Sequence, residues 1–104
     1  YYPTNYNVRC YYRNGQWGEI EVSSETTINI HMAATCLHYG QEAFEGLKAF
    51  RGEDGKVRIF RLDENAKRLQ SSSRGIMMAE FPEDKFREAC LLAVKERAKR
   101  SQRE

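Results

Sequence analysis

A chain of 104 residues with 40% hydrophobic residues can form one modest core, so the sequence indicates a single domain. Its 17 basic and 15 acidic side chains are interspersed and leave a net charge of +2, which gives little support for nucleic-acid binding. No apolar run approaches membrane-spanning length, and Cys10, Cys36 and Cys90 lack the paired spacing of metal or redox motifs. These features predict a cytoplasmic protein with reduced thiols and no membrane contact.

The first strands of the predicted fold form a β-hairpin. Residues 7–13 and 16–22 are rich in Val, Tyr and other strand-forming residues, and they flank Asn14-Gly15. This dipeptide is typical of a type I′ turn because both of its residues tolerate positive φ. Residues 26–30 predict one further short strand.

A second hairpin is predicted after residue 46. Residues 47–51 and 56–60 flank Glu53-Asp54-Gly55, and Val57 and Ile59 alternate onto one face of the second strand. Both hairpins can therefore join one antiparallel sheet.

Two helices complete the predicted fold. The first is expected to have Asp63 as its N-cap and to end near Gly75, whereas the second begins at Pro82, a favourable first-turn residue. Strands followed by helices predict an α+β fold, in which two helices pack on an antiparallel sheet. The expected buried faces are Leu62, Ala66, Leu69 and Ile76, interrupted by Ser73, and Phe86, Ala89, Cys90, Ala93 and Val94.

Residues 38–46 combine aromatic rings, glycines and carboxylates in the way that is typical of a small-molecule pocket. The alternative is a short helix capped by Gly46, with Tyr39 and Phe44 in the core. Glu42 and Glu45 could form a carboxylate pair, but solvated surface positions are expected for both.

Other catalytic chemistry finds little support in the sequence. His31 and His38 have no ligand partner at metal-binding spacing, which argues against a zinc site. The serines at 71–73 lie in a helical pattern without the glycine elbow of a nucleophile. No metal ligand and no catalytic residue is therefore assigned in this chain.

Three sequence blocks resemble a known family. His38-Tyr39-Gly40 with residues 44–50, then residues 54–61, then residues 65–68 are similar in order and spacing to the N-terminal small domain of branched-chain amino acid aminotransferases. The resemblance assigns residues 1–95 to that domain, whereas residues 96–104 form a charged helical tail that departs from the family pattern. Because the chain starts at Tyr1 rather than Met, we also expect that a longer protein was trimmed or processed.

The resemblance implies a fold-type IV enzyme that uses pyridoxal 5'-phosphate. Such an enzyme transfers the amino group of leucine, isoleucine or valine to 2-oxoglutarate, and a lysine of its second domain holds the cofactor as a Schiff base. No lysine of this chain matches that residue, so the isolated chain is expected to be inactive.

The resemblance also assigns binding residues. Arg68 matches the arginine that binds the cofactor phosphate, although the sequence alone would make it a solvated arginine on the flank of the first helix. Tyr39, Phe44 and Gly46 match the substrate-pocket wall, to which the tyrosine contributes across a homodimer interface. Two alternatives remain: a non-catalytic interaction or oligomerisation domain with the same fold, and another fold-type IV enzyme such as a D-amino acid aminotransferase.

Overall fold

The computed structural model describes residues 5–103, and the side chains of Val57 and of residues 96–103 are outside that description. Residues 1–4 and 104, which the predicted domain division includes, are not described. The described elements follow the predicted order of strands and then helices. They are β1 (Asn7–Arg9), β2 (Tyr12–Arg13), β3 (Gln16–Trp17), β4 (Glu21–Ser23), α1 (Thr35–His38), β5 (Ala49–Arg51), β6 (Val57–Ile59), α2 (Leu62–Gly75) and α3 (Glu83–Arg103).

The first predicted hairpin is confirmed. β2 and β3 pair antiparallel around Asn14 and Gly15, whose φ angles of 53° and 77° are those that a type I′ turn requires. β1 and β4 continue the hairpin with Val8 opposite Val22. Between the two ladders, residues 18–20 face residues 10–11, and this extra residue interrupts the pairing as a bulge does.

The second predicted hairpin is also confirmed, as β5 and β6. Gly55 has a φ of 80°, and the Asp54 carboxylate accepts hydrogen bonds from the Lys56 amide and from both terminal nitrogens of Arg58. The turn is therefore stabilised from within its own sequence. The strand predicted at residues 26–30 is wrong, because this segment pairs with no strand of the described chain and Ile28 and Ile30 are exposed.

The predicted α+β class and the antiparallel pairing are confirmed. In the described residues the strands form three two-stranded ladders rather than one continuous hydrogen-bonded sheet. Helix α3 links the first ladder to α2, since it contacts both α2 and β1. Trp17 extends this link, because its Nε1 donates to the Glu80 carbonyl at 2.9 Å and its ring packs on Phe81.

Helix α2 ends at Gly75, as predicted, but its predicted N-cap is wrong. The residue before the helix is Arg61, which has a φ of 53° and provides no side-chain cap. Asp63 lies inside the first turn instead, where a negative charge suits the helix dipole, and its carboxylate pairs with Arg87 of α3. The side chain thus joins two helices rather than capping one.

The core lies between α2 and α3. Ala66 and Phe86 are its buried apolar residues among those described, and Phe86 is 7% exposed. Ser73, which interrupts the predicted stripe, is buried with its hydroxyl donating to the Leu69 carbonyl at 2.8 Å. Leu69 is half-buried, whereas Ile76 is exposed, so the predicted stripe holds along α2 but not beyond its end.

Helix α3 begins at Glu83, one residue after its predicted start, and the Pro82 carbonyl accepts the first helical hydrogen bond from the Phe86 amide. Its predicted buried face is correct for Phe86, while Ala93 is exposed.

We expect Phe86→Ala to lower the free energy of unfolding by about 3 to 5 kcal/mol, because it leaves a cavity between the helices. Phe44→Ala is the matched control, since Phe44 is 89% exposed and its loss should change stability by less than about 0.5 kcal/mol. Urea denaturation of the two variants and the parent measures both. Equal losses at the two positions would contradict this placement of the core.

Candidate functional site

The loop between α1 and β5 brings Glu45 and Gly46 to α2. Helix α1 ends at His38, and Gly40, with a φ of 63°, allows the chain to turn away from it. The alternative of a helix capped by Gly46 is therefore wrong. The Gln41 side chain holds the loop in place, because its Nε2 donates to the Ile76 carbonyl at 2.8 Å, beyond the end of α2.

Glu45 is the centre of a polar cluster between this loop and α2. Its side chain is 9% exposed, and its Oε1 accepts hydrogen bonds from Asn65 Nδ2 at 2.6 Å and from Arg68 Nε at 2.9 Å. Arg68 Nη2 also donates to the same oxygen. The expectation that Glu45 is a solvated surface residue is wrong, whereas Glu42 is exposed as expected.

Asn65 joins this cluster to the backbone of the loop. It is 5% exposed, and its Nδ2 also donates to the Gly46 carbonyl at 3.0 Å. One amide group therefore holds both the Glu45 carboxylate and the residue that follows it. We define Glu45, Asn65 and Arg68 as the carboxylate cluster.

The charges of the carboxylate cluster stabilise each other. Hydrogen bonds from the Arg68 guanidinium, above all, lower the pKa of Glu45 below its ordinary value, and the Asn65 hydrogen bond acts in the same direction. The hydrogen bond and the charge of Glu45 raise the pKa of Arg68 in turn. Both groups are therefore ionised at neutral pH.

A cleft of about 560 Å³ opens beside the carboxylate cluster. Three of its side chains are cationic, Lys48, Arg61 and Arg68, and one, Glu64, is acidic. Arg61 pairs with Glu64 at 3.5 Å, and Arg68 pairs with Glu45. Lys48 therefore supplies the remaining positive charge, which favours an anionic ligand. The lining residues are Gly46, Leu47, Lys48, Phe60, Arg61, Glu64, Asn65 and Arg68.

The four site residues predicted from the sequence are only partly brought together. Gly46 and Arg68 line the same cleft, and a Cβ atom on Gly46 would lie 3.6 Å from the Phe44 ring. Tyr39 and Phe44 are 85% and 89% exposed and are not among the lining residues. Their alternative placement in the core is therefore wrong.

Sequence reasoning missed Glu45 and Asn65 as parts of this site. A signal for Asn65 was present, because residues three apart on a helix lie on one face, and Asn65 precedes Arg68 by three positions. Glu45 had no comparable signal, since its partners lie 20 and 23 residues further along the chain.

The described residues also bear on metal binding, membrane spanning and thiol reactivity. In the part of the chain that the structure describes, no group of three or more metal-binding side chains could hold an ion. No helix of that part is long and apolar enough to cross a membrane. Cys10, Cys36 and Cys90 are free thiols, and burial raises the pKa of Cys90.

Several known proteins are similar in sequence to most of this chain. The branched-chain-amino-acid aminotransferase of Haemophilus influenzae is 39% identical over 95 residues, which are 91% of this chain and 28% of that protein. The Helicobacter pylori enzyme of the same name is 41% identical with the same coverage. That of Mycolicibacterium smegmatis is 46% identical over 83 residues, which are 78% of this chain and 23% of that protein. No family model matches the chain.

The fold and these similarities define the class: the chain is an α+β segment related to aminotransferases. It belongs to the family of branched-chain-amino-acid aminotransferases, which confirms the resemblance found in the three sequence blocks. The chain spans about a quarter of the length of the curated relatives it matches.

We expect the stabilising effect of the Glu45 charge to be lost in acid. A carboxyl whose pKa is lowered by folding contributes stability above its unfolded pKa, here 4.5, and loses it as the pH falls through the lower folded value. The difference in unfolding free energy between the parent and Glu45→Gln should therefore be largest near pH 7 and shrink below pH 4.5.

Urea denaturation at pH 7 and in acid measures this difference. Asp54, whose pKa is also lowered by its hydrogen bond to Arg58, is present in both proteins and cancels in the comparison. Glu42→Gln is the control for the loss of an exposed carboxylate. If the difference in unfolding free energy between the parent and Glu45→Gln does not change with pH, the charge of Glu45 does not contribute to the stability of the fold.

Proposed function

We propose that this segment is the small domain of a pyridoxal 5'-phosphate-dependent enzyme that transfers the amino group of leucine, isoleucine or valine to 2-oxoglutarate. The sequence similarity to branched-chain-amino-acid aminotransferases supports this proposal. The observation that carries it is the position of Arg68 in a cationic cleft, held by Glu45. When bound, pyridoxal phosphate supplies an electron-withdrawing ring that makes the hydrogen on the α-carbon of the amino acid acidic.

The residues of the cleft fit the phosphate group of this cofactor. Glu45 occupies the Nε and Nη2 edge of the guanidinium, while Nη1 donates to no described residue. The outer edge of Arg68 is thus available for two parallel hydrogen bonds to an anion, which a guanidinium forms well with phosphate. Lys48 adds positive charge on the same cleft, whereas the charge of Arg61 is balanced by Glu64.

The substrate wall is the second part of the proposal. Gly46 lines the cleft, and the Phe44 ring lies 3.6 Å from where a Cβ atom on Gly46 would be, so an aliphatic side chain of the substrate would contact the ring where the glycine leaves room. Tyr39 is exposed and separate from this cleft. We therefore propose that it acts across the interface of a homodimer, on the pocket of the other subunit.

We expect Arg68→Ala, in an intact enzyme carrying this segment, to weaken pyridoxal phosphate binding by roughly ten- to a hundredfold, since charge-assisted hydrogen bonds contribute about 1.5 to 3 kcal/mol. Arg68→Lys should restore the affinity only in part. Fluorescence titration of the apoenzyme measures both. Arg74→Ala is the matched control, because Arg74 lies on the same helix and pairs with Glu80.

Phe44→Ala should affect substrate binding rather than cofactor binding. It should leave cofactor affinity nearly unchanged and raise the KM for leucine, because the ring lies beside Gly46 and is not among the residues that line the cleft with Arg68. If Arg68→Ala bound the cofactor as tightly as the parent, Arg68 would be a solvated surface residue and not a phosphate ligand.

We expect the purified 104-residue chain to have no transaminase activity, because no lysine in it matches the family residue that holds the cofactor. The assay is the formation of glutamate from leucine and 2-oxoglutarate with added pyridoxal phosphate. Preparing the chain from a host that lacks its own branched-chain aminotransferase excludes contamination. Conversion above the level of a mock purification would contradict this assignment.

A non-catalytic interaction or oligomerisation domain is the second candidate. The specific observation in its favour is the set of strongly exposed apolar side chains, including Met32, Phe44 and Met77. A coding sequence for the second aminotransferase domain, in frame after residue 104, would decide for the enzyme. A cytoplasmic location is proposed for either function, in keeping with the three free thiols.

A further inference from the structure

We propose that Glu45 is a positioning residue that orients Arg68 for the phosphate of the cofactor. This inference rests on the proposed function, because it assigns a role to Glu45 through the phosphate-binding arginine. The sequence predicts that Glu45 is solvated like Glu42, but the structure separates the two. Its low exposure and its three hydrogen bonds carry the inference.

The first step concerns the freedom of Arg68. Its side chain is 65% exposed, and a long side chain at the surface occupies many rotamers unless a contact selects one. Here the contact is made at the Nε and Nη2 edge by a single oxygen, Glu45 Oε1. That contact sets the plane of the guanidinium and directs its outer edge away from the carboxylate.

The second step concerns the rigidity of Glu45 itself. The same oxygen accepts from Asn65 Nδ2, and Asn65 is buried on α2. The second hydrogen of this amide is used by the Gly46 carbonyl. The carboxylate is thereby fixed to the helix that carries Arg68, and it cannot follow the arginine if the arginine moves.

The third step separates position from charge. A negative carboxylate beside the guanidinium opposes the binding of a second anion, so the charge of Glu45 weakens phosphate affinity. Glu45 therefore favours phosphate binding only by its position, because its oxygen accepts the hydrogen bonds that orient the Arg68 guanidinium. Charge and position therefore predict opposite results for two conservative substitutions.

Glu45→Gln keeps an acceptor oxygen at the same distance from the backbone and removes the charge. Glu45→Asp keeps the charge and withdraws the oxygen by one methylene. In the intact apoenzyme carrying this segment, we expect Glu45→Gln to bind pyridoxal phosphate at least as tightly as the parent. Glu45→Asp should bind it about three- to tenfold more weakly, in the range of coupling between neighbouring residues.

Fluorescence titration with pyridoxal phosphate is the primary measurement, and competition by inorganic phosphate reports on the phosphate contact without the ring. Glu42→Gln and Glu42→Asp are the matched controls, and both should bind like the parent. Circular dichroism confirms that each variant is folded. Since both substitutions at position 45 are conservative, their comparison does not depend on an alanine variant that leaves Asn65 without its acceptor.

Two results overturn the inference in different ways. If Glu45→Asp binds the cofactor as tightly as the parent, or Glu45→Gln binds it more weakly than Glu45→Asp, the positioning role is wrong while the phosphate site stands. If Arg68→Ala, measured alongside, binds like the parent, the phosphate site fails and the positioning role fails with it. Weakened binding in Arg68→Ala and Glu45→Asp, with retained binding in Glu45→Gln, supports the inference.

Discussion

The carboxylate of Glu45 is the interaction on which the arrangement of the cleft depends. One oxygen receives hydrogen bonds from an amide and a guanidinium of the same helix, and the amide also holds the backbone of the next residue in the loop. A loop without regular structure is thereby attached to α2 by polar contacts. The carboxylate and Asn65 are barely exposed whereas the guanidinium is largely exposed, so the contact with Asn65 is the one better shielded from water.

The helices provide the rigid side of this attachment. Asn65 and Arg68 lie three residues apart on α2, so both side chains reach the loop from one face. Phe86 and the pair between Asp63 and Arg87 hold α2 against α3, and α3 in turn contacts β1. The cleft lies between α2, residues 46–48 of the loop and residues 60–61, so its cations come from the loop, from the residue before α2 and from α2 itself.

Two large aromatic side chains, Tyr39 and Phe44, lie outside the core. Both face solvent, in a chain that spans about a quarter of the length of its relatives. The proposed function assigns both side chains to the wall of a substrate pocket. In the carboxylate cluster, by contrast, the Glu45 side chain and Asn65 are nearly buried, and the hydrogen-bond donors to the Glu45 carboxylate come from this chain.

The sequence by itself determined the features that depend on neighbours along the chain. Asn14-Gly15 predicted the first hairpin because only a few residues tolerate its φ angles, Gly75 predicted the end of α2, and the three blocks predicted the family. Only the tertiary structure decided that Asp63 pairs with α3 instead of capping its helix, and that residues 26–30 form no strand. It also decided that Glu45 is not solvated, because its partners lie 20 and 23 residues away and only folding brings them within hydrogen-bonding distance.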